Sequence, residues 1–170
     1  MNPHTPSRSG LPHGLSAAAM PAWRAQLLRM DALGMRVLPW LQTLALLAVR
    51  LFLLDVFFRA GLSKLLDWDS TLFLFQEEYR VPLLPPELAA VMGTAGELGL
   101  SSLLALGLLT RPAAVGLFLV NLMAVISYPD LTAAGLKDHQ LWGVLCMVLA
   151  LFGPGALSAD GFLWRWLRGR

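Results

Sequence analysis

Long apolar stretches are the feature that most constrains the fold of this chain. Four of them lie at residues 40–58, 89–109, 113–128 and 139–152, separated by short polar segments. A helix needs about 20 mostly apolar residues to cross a bilayer, and 56% of the sequence is hydrophobic while only 14% is charged. We therefore predict an all-α fold, an integral membrane four-helix bundle. Because the last two apolar stretches are short, their helices either extend into flanking residues or lie in a thin, packed bundle.

Two further segments have the pattern of amphipathic interfacial helices. Between the first two stretches, apolar side chains recur three and four residues apart, at Leu65, Trp68, Leu72, Phe75 and Tyr79. A similar pattern covers residues 21–38. Such helices lie along the membrane surface with their apolar face toward the acyl chains. Residues 1–20 are rich in Pro, Gly, Ser and Ala, and we predict that they form a disordered tail.

The arginines predict the orientation of the bundle. They cluster before the first stretch, between the second and third, and at the end of the chain, at Arg24, Arg29, Arg36, Arg111, Arg165, Arg168 and Arg170. Basic loops stay in the cytoplasm, so both termini are predicted to be cytoplasmic. Residues 39–156 then form the transmembrane domain and residues 157–170 a basic cytoplasmic tail. This distribution indicates topology and gives no reason to expect a nucleic-acid partner.

Ionisable residues inside the apolar stretches are candidates for a buried site. Arg50 and Glu97 each cost about 2.5–3.5 kcal/mol within a membrane helix, so each needs a partner or a function. Counting 1.5 Å per residue along antiparallel helices places both at a similar depth, where we expect them to meet, with Asn121 nearby. Two interpretations stay open: a membrane-embedded site, or an ion pair that fixes helix register. Asn121 alone is also typical of a hydrogen bond between helices.

A second set of polar residues lies toward the predicted outer surface. Asp55 and Arg59 are four residues apart and are expected to pair along one helix face. His139, near Trp142, is the one histidine outside the tail, and Cys146 is the only cysteine. A single histidine and a single cysteine argue against a bis-histidine haem and a disulfide, and we predict no metal site. His139 is a candidate proton carrier or headgroup ligand, or simply a solvated histidine.

Several short features recur in order across the apolar stretches. They are Arg50, residues 59–65 (RAGLSKL), residues 96–98 (GEL), residues 106–111 (LGLLTR), His139 with Trp142, and residues 153–155 (GPG) leading to Ser158 and Asp160. Their order over about residues 40–165 resembles the DoxX family of small four-helix membrane proteins. A relative of that family is the DoxD-like membrane subunit of thiosulfate:quinone oxidoreductase.

The resemblance implies a bacterial inner membrane protein associated with redox chemistry. The polar positions of the family fall on Arg50, Lys64, Glu97 and His139 of this chain. We assign Glu97 and His139 as candidate catalytic residues. The candidate cofactor-binding residues are Arg50, Lys64, Asn121 and Trp142.

Three functions remain in competition. In the first, a membrane subunit of a quinone-linked or sulfur and redox-stress system holds a quinone ring between its helices, while Glu97 or His139 exchanges protons. The sequence has no dinucleotide fingerprint, iron–sulfur cysteine set or haem ligand pair, so a partner protein must deliver the electrons. The second is a non-catalytic membrane anchor or assembly factor, and the third is a small solute or ion transporter. The sequence identifies no cofactor beyond this candidate quinone, leaves enzymatic activity open, and predicts contact with the bilayer and with a partner protein or a second copy.

Overall fold

The computed structural model of the protein describes residues 22–169, and the ordered elements in that range are all helices. In chain order they are α1 (Ala22–Leu66), α2 (Trp68–Glu77), α3 (Pro86–Leu106), α4 (Thr110–Ser127), α5 (Ala133–Phe152) and α6 (Ala159–Arg168). Residues 22–169 contain no strand, so the all-α prediction is confirmed. The tail predicted at residues 1–20 lies outside the described residues. The chain divides into two compact units, of which the second spans Leu38–Arg170.

The described part of the chain contains three helical segments that are long and apolar enough to cross a membrane. They are Gly34–Leu66, Pro86–Leu106 and Thr110–Ser127. Large apolar side chains such as Leu119 remain about half exposed on these segments, as expected of surfaces that face lipid. The prediction of an all-α membrane protein is thereby confirmed. Helix α5 is 20 residues long, but its first turns carry several polar residues, and the predicted fourth crossing stays a prediction.

Four helices meet in the main apolar core. Its buried members are Leu53 and Phe57 of α1, Leu104 of α3, Ala113, Ala114 and Leu117 of α4, and Cys146 and Leu149 of α5. The alanines on α4 are small enough for the neighbouring backbones to approach closely. A second, smaller core joins Phe75 of α2 to Ala89 and Ala90 of α3.

Helix α1 is longer than predicted, so its polar residues lie at different depths from those predicted. The apolar stretch predicted a span ending at residue 58, whereas the helix continues to Leu66. Asp67 then begins the predicted amphipathic helix α2 by accepting a hydrogen bond from the Ser70 backbone N–H at 3.2 Å. The segment predicted at 21–38 is helical from Ala22 onward, as the first part of α1, and its position at an interface stays a prediction.

A tight connection of residues 107–109 joins α3 to α4. Helix α3 ends at Leu106, and Gly107 adopts the left-handed conformation with φ +67°. A Cβ at Gly107 would lie 2.5 Å from Ser158 Cβ and 2.8 Å from Arg50 Nη2, so space as well as backbone conformation requires glycine. Pro112 is the third residue of α4, where the missing N–H of proline is tolerated.

The predicted basic tail contains helix α6, which is attached to this connection. Ser158 caps α6 by accepting a hydrogen bond from the Gly161 N–H at 3.0 Å. The Asp160 carboxylate accepts from the backbone N–H groups of Leu109 and Thr110 at 2.9 and 3.0 Å, at the start of α4. A carboxylate is favourable there because the N-terminus of a helix is partly positive. The beginning of α6 is therefore fixed to the end of the bundle.

Candidate functional site

A buried ion pair joins α1 to α3. Lys64 Nζ donates to both carboxylate oxygens of Glu97, at 2.8 and 2.7 Å, and the two side chains are only 22% and 11% exposed. Gly61, one turn before Lys64, permits this approach, because a Cβ there would lie 2.8 Å from Leu98 Cγ and 3.1 Å from Glu97 Cβ. Both charges are thus neutralised and hydrogen-bonded within the protein, as a buried pair requires.

This ion pair forms part of the wall of a cavity of about 230 Å³. The rest of the wall is mainly apolar or aromatic, contributed by α2, α3, α4 and the loop at 78–85: Phe75, Tyr79, Val81, Leu84, Ala89, Met92, Gly93, Leu119, Val120, Met123, Ala124 and Ser127. Met92 and Leu119 are also more than half exposed, so the cavity reaches the surface between α3 and α4. Since a cavity of about 150 Å³ can hold benzene, this one has room for a substituted six-membered ring.

Aromatic rings line one side of the cavity. Tyr79 stacks on Phe75 with centroids 4.8 Å apart and contacts the ring of Tyr128 at 5.2 Å. Burial raises the pKa of the Tyr79 phenol, and the negative charge of Glu97 raises it further. Its hydroxyl is therefore protonated at neutral pH. The loop is held in place because the Arg80 backbone N–H donates to the Ser127 carbonyl at 2.8 Å.

His139 and Asn121 form a second polar cluster, between α5 and α4. Asn121 Nδ2 donates to the His139 carbonyl at 2.9 Å, so Asn121 Oδ1 faces His139 Nδ1 at 2.8 Å. An amide oxygen only accepts, and Nδ1 must therefore carry the proton, which leaves Nε2 of the neutral ring as an acceptor. Trp142 packs edge-on against the imidazole at 4.8 Å.

Arg50 lies at the opposite end of the bundle and does not pair with Glu97. Its guanidinium, 2% exposed, donates from Nε to Leu104 O at 2.6 Å and from Nη2 to Ala105 O at 2.6 Å. Nη1 donates to Pro154 O and Leu157 O at 3.0 and 2.8 Å. Arg50 thereby connects α1 to the end of α3 and to the segment between α5 and α6.

The predicted cluster of Arg50, Glu97 and Asn121 is therefore wrong. The predicted depths assumed that the first span ended at residue 58, but α1 continues, and Lys64 lies about 21 Å beyond Arg50 along it. Lys64 thus reaches Glu97, while Arg50 reaches the end of α3. Asn121 bonds to His139 instead.

One other expectation concerns an exposed ion pair. The pairing of Asp55 with Arg59 is confirmed at 2.6 Å, between exposed side chains. Among residues 22–169, no three or more His, Cys, Asp or Glu side chains come together to hold a metal ion.

The sequence reasoning missed the role of Tyr79 and Ser127 in the cavity wall. Tyr79 belongs to the apolar repeat that predicted α2, and its position could have been inferred from that helix lying over α3. Ser127 gives no sequence signal, because a serine at the end of an apolar helix is most simply read as the helix terminus.

Sequence comparison now identifies the fold family. A sequence model of the DoxX family matches residues 45–130, half of the chain. The chain belongs to the DoxX family. Across 125 residues, this DoxX protein is 32% identical to the inner membrane protein YphA of Escherichia coli (strain K12), a match that covers 68% of this chain and 87% of the relative. No solved structure matches. The resemblance drawn from the short sequence features is thus confirmed, and the family region contains Arg50, Lys64, Glu97 and Asn121 while His139 lies beyond it.

Proposed function

We propose that this DoxX protein is the membrane subunit of a redox system in a bacterial inner membrane, where it binds a quinone and acts with a partner protein. The observation that carries the proposal is the ring-sized apolar cavity with the Lys64–Glu97 ion pair in its wall. Apolar pockets with a few placed polar groups are the usual form of a small-molecule site. The inner membrane location agrees with the relative YphA, and cytoplasmic termini follow from the arginine distribution.

The residues in the wall have the properties that such a site needs. A quinone, when bound, accepts two electrons and two protons to become a quinol. Lys64 supplies a hydrogen-bond donor to a ring oxygen, and Glu97 can hold or release a proton. The pair is neutral overall, so an uncharged ring enters without leaving an unpaired charge. Phe75 and Tyr79 present ring surfaces against which a planar ligand can stack.

Electrons would come from outside this chain. The sequence contains one cysteine, Cys146, which is buried in the main core and cannot form a disulfide within the chain. No dinucleotide-binding fingerprint is present in the sequence. A soluble redox protein therefore completes the proposed system, and the DoxX protein provides the lipid-accessible site.

The ligand carried by the purified protein tests this proposal. The full chain is purified from bacterial membranes in mild detergent as wild type, Glu97→Gln and Asp55→Asn, and extracted lipophilic molecules are quantified by mass spectrometry. Asp55→Asn is the matched control, because it removes an exposed carboxylate from an ion pair outside the cavity. We expect quinone with wild type and Asp55→Asn, and several-fold less with folded Glu97→Gln. Absence of quinone from the wild type, or equal amounts in all three, would overturn the proposal.

A non-catalytic anchor is the second candidate, and one observation favours it. Both Glu97 oxygens are satisfied by Lys64, so the pair can also serve to hold α1 against α3. The anchor predicts that Glu97→Gln alters stability or partner binding without any associated loss of ligand. Arg50 and Glu97 have separate partners, so no shared site of these two charges supports the transporter hypothesis.

A further inference from the structure

Ser127 contributes a buried hydroxyl without a partner to the wall of the cavity. It is the last residue of α4 and is 1% exposed, and its Oγ has no hydrogen-bond partner among the described residues. A helical serine usually returns this bond to a carbonyl in the preceding turn. Ser101 and Ser102 do so in α3, by donating to the carbonyls of Glu97 and Leu98. Ser127 departs from that pattern at the cavity.

The surroundings of Ser127 leave its hydroxyl available. Its carbonyl is already engaged by the Arg80 N–H at 2.8 Å, which fixes the backbone at the end of α4. Lys64 and Glu97, which line the same cavity, form hydrogen bonds with each other rather than with Ser127. Thr94 and Thr110 are the other buried hydroxyls without a partner in residues 22–169, and neither lines this cavity. Since buried polar groups are nearly always hydrogen-bonded, the Ser127 hydroxyl indicates a ligand with a polar atom.

We propose that the Ser127 hydroxyl donates a hydrogen bond to a ring oxygen of the ligand and thereby selects oxygen-bearing rings over hydrocarbon rings of the same shape. This inference rests on the proposed function and specifies the ligand further. The wall is mainly apolar, and its polar positions are Ser127, the Tyr79 hydroxyl and the Lys64–Glu97 pair. A quinone carries two ring oxygens and an apolar body, so its chemistry matches the wall, whereas a plain acyl chain would leave Ser127 without a partner.

The test compares two ring probes of nearly equal size. The full chain is placed in phosphatidylcholine nanodiscs, and binding of duroquinone and of durene, which has the same ring and methyl groups without oxygens, is measured after subtraction of empty nanodiscs. The variants are wild type, Ser127→Ala, Ser127→Thr and the control Ser102→Ala, whose hydroxyl bonds to a carbonyl of its own helix. Thermal unfolding of each variant without a probe gives a second readout.

We expect Ser127→Ala to weaken duroquinone binding roughly 2- to 13-fold, the equivalent of one hydrogen bond, and to leave durene binding unchanged. Ser127→Thr should retain binding because it keeps the hydroxyl, and Ser102→Ala should match wild type. Without a probe, Ser127→Ala should be at least as stable as wild type, because its hydroxyl has no protein partner to lose.

The outcomes separate this inference from the proposed function. Wild-type affinity of Ser127→Ala for duroquinone overturns the inference and leaves the proposed function standing. Durene bound by wild type as tightly as duroquinone also overturns the inference. Failure of the wild type to bind duroquinone overturns both.

Discussion

Removal of the Arg50 guanidinium should destabilise the bundle more than removal of any exposed arginine. The substitution is Arg50→Met, which keeps an unbranched apolar side chain and deletes the donors. Four carbonyl oxygens, of Leu104, Ala105, Pro154 and Leu157, lose their bonds from Arg50. Hydrogen bonds from a charged group contribute about 1.5–3 kcal/mol each, but a buried charge also carries a desolvation cost that Met removes.

The expected net effect is a loss of about 3–5 kcal/mol, because each buried carbonyl left without a donor costs about 1–3 kcal/mol while the desolvation cost of the charge is removed. The assay is reversible unfolding of the full chain in mixed micelles with increasing sodium dodecyl sulfate, followed by circular dichroism. Arg59→Met is the control, because Arg59 lies on the same helix but is exposed, and exposed ion pairs contribute little. Equal unfolding midpoints for the two variants would refute the assignment of Arg50 as the link between α1, α3 and the segment after α5.

Three further predictions concern the ends of helices and the aromatic wall. Asp160→Asn should lower the free energy of unfolding by about 1 kcal/mol in the same assay, because it removes a charge and one hydrogen-bond acceptor at the start of α4. An unchanged unfolding midpoint would contradict the role of Asp160 as a cap of α4. Asn121→Leu should lower the free energy of unfolding by about 1–3 kcal/mol, since it breaks both hydrogen bonds to His139. A variant as stable as the wild type would show that these hydrogen bonds are not formed. Tyr79 and Tyr128, the only tyrosines, both have pKa values raised in the folded protein, Tyr128 chiefly by the negative charge of Glu78. The stability that these shifts contribute is present below the unfolded tyrosine pKa of about 10 and is lost as pH rises through the pKa values of the folded protein. Phenolate absorbance at 295 nm should therefore appear at higher pH in the folded protein than in the denatured chain. Coincident titrations of the two states would contradict the raised pKa values.

Apolar length predicted the helices well but predicted their ends poorly. The stretch at 40–58 identified α1, yet the helix continues to Leu66, since residues 59–66 extend the helical pattern despite their charges. Likewise α5 begins at Ala133, capped by Thr132, although the apolar stretch starts at residue 139. Polar residues at a helix end lower the local hydrophobicity without ending the helix. A composition-based reading therefore shortens helices whose first or last turns leave the apolar region.

The same error explains which parts of the site could be predicted. Arg50 and Glu97 were predicted to need partners, because charge in an apolar context is visible in sequence, whereas Lys64 was named only through the family resemblance. Their partners depended on helix length and rotation, and the continuation of α1 beyond residue 58 places Lys64, rather than Arg50, beside Glu97. The assigned catalytic and cofactor-binding roles stay predictions. Ser127 could not be selected from the sequence, because it stands out only by a buried hydroxyl without a hydrogen-bond partner, and only the three-dimensional structure shows this.

The central claim is that the Lys64–Glu97 pair serves a ligand site and is not needed to hold the fold. The double variant Lys64→Met, Glu97→Leu replaces both charges with apolar side chains of similar size, and such replacements of buried ion pairs are often neutral or stabilising. The measurement is bound quinone per folded molecule, together with the unfolding midpoint. We predict a midpoint at or above that of wild type with quinone reduced several-fold. A folded double variant that keeps its quinone would contradict the claim.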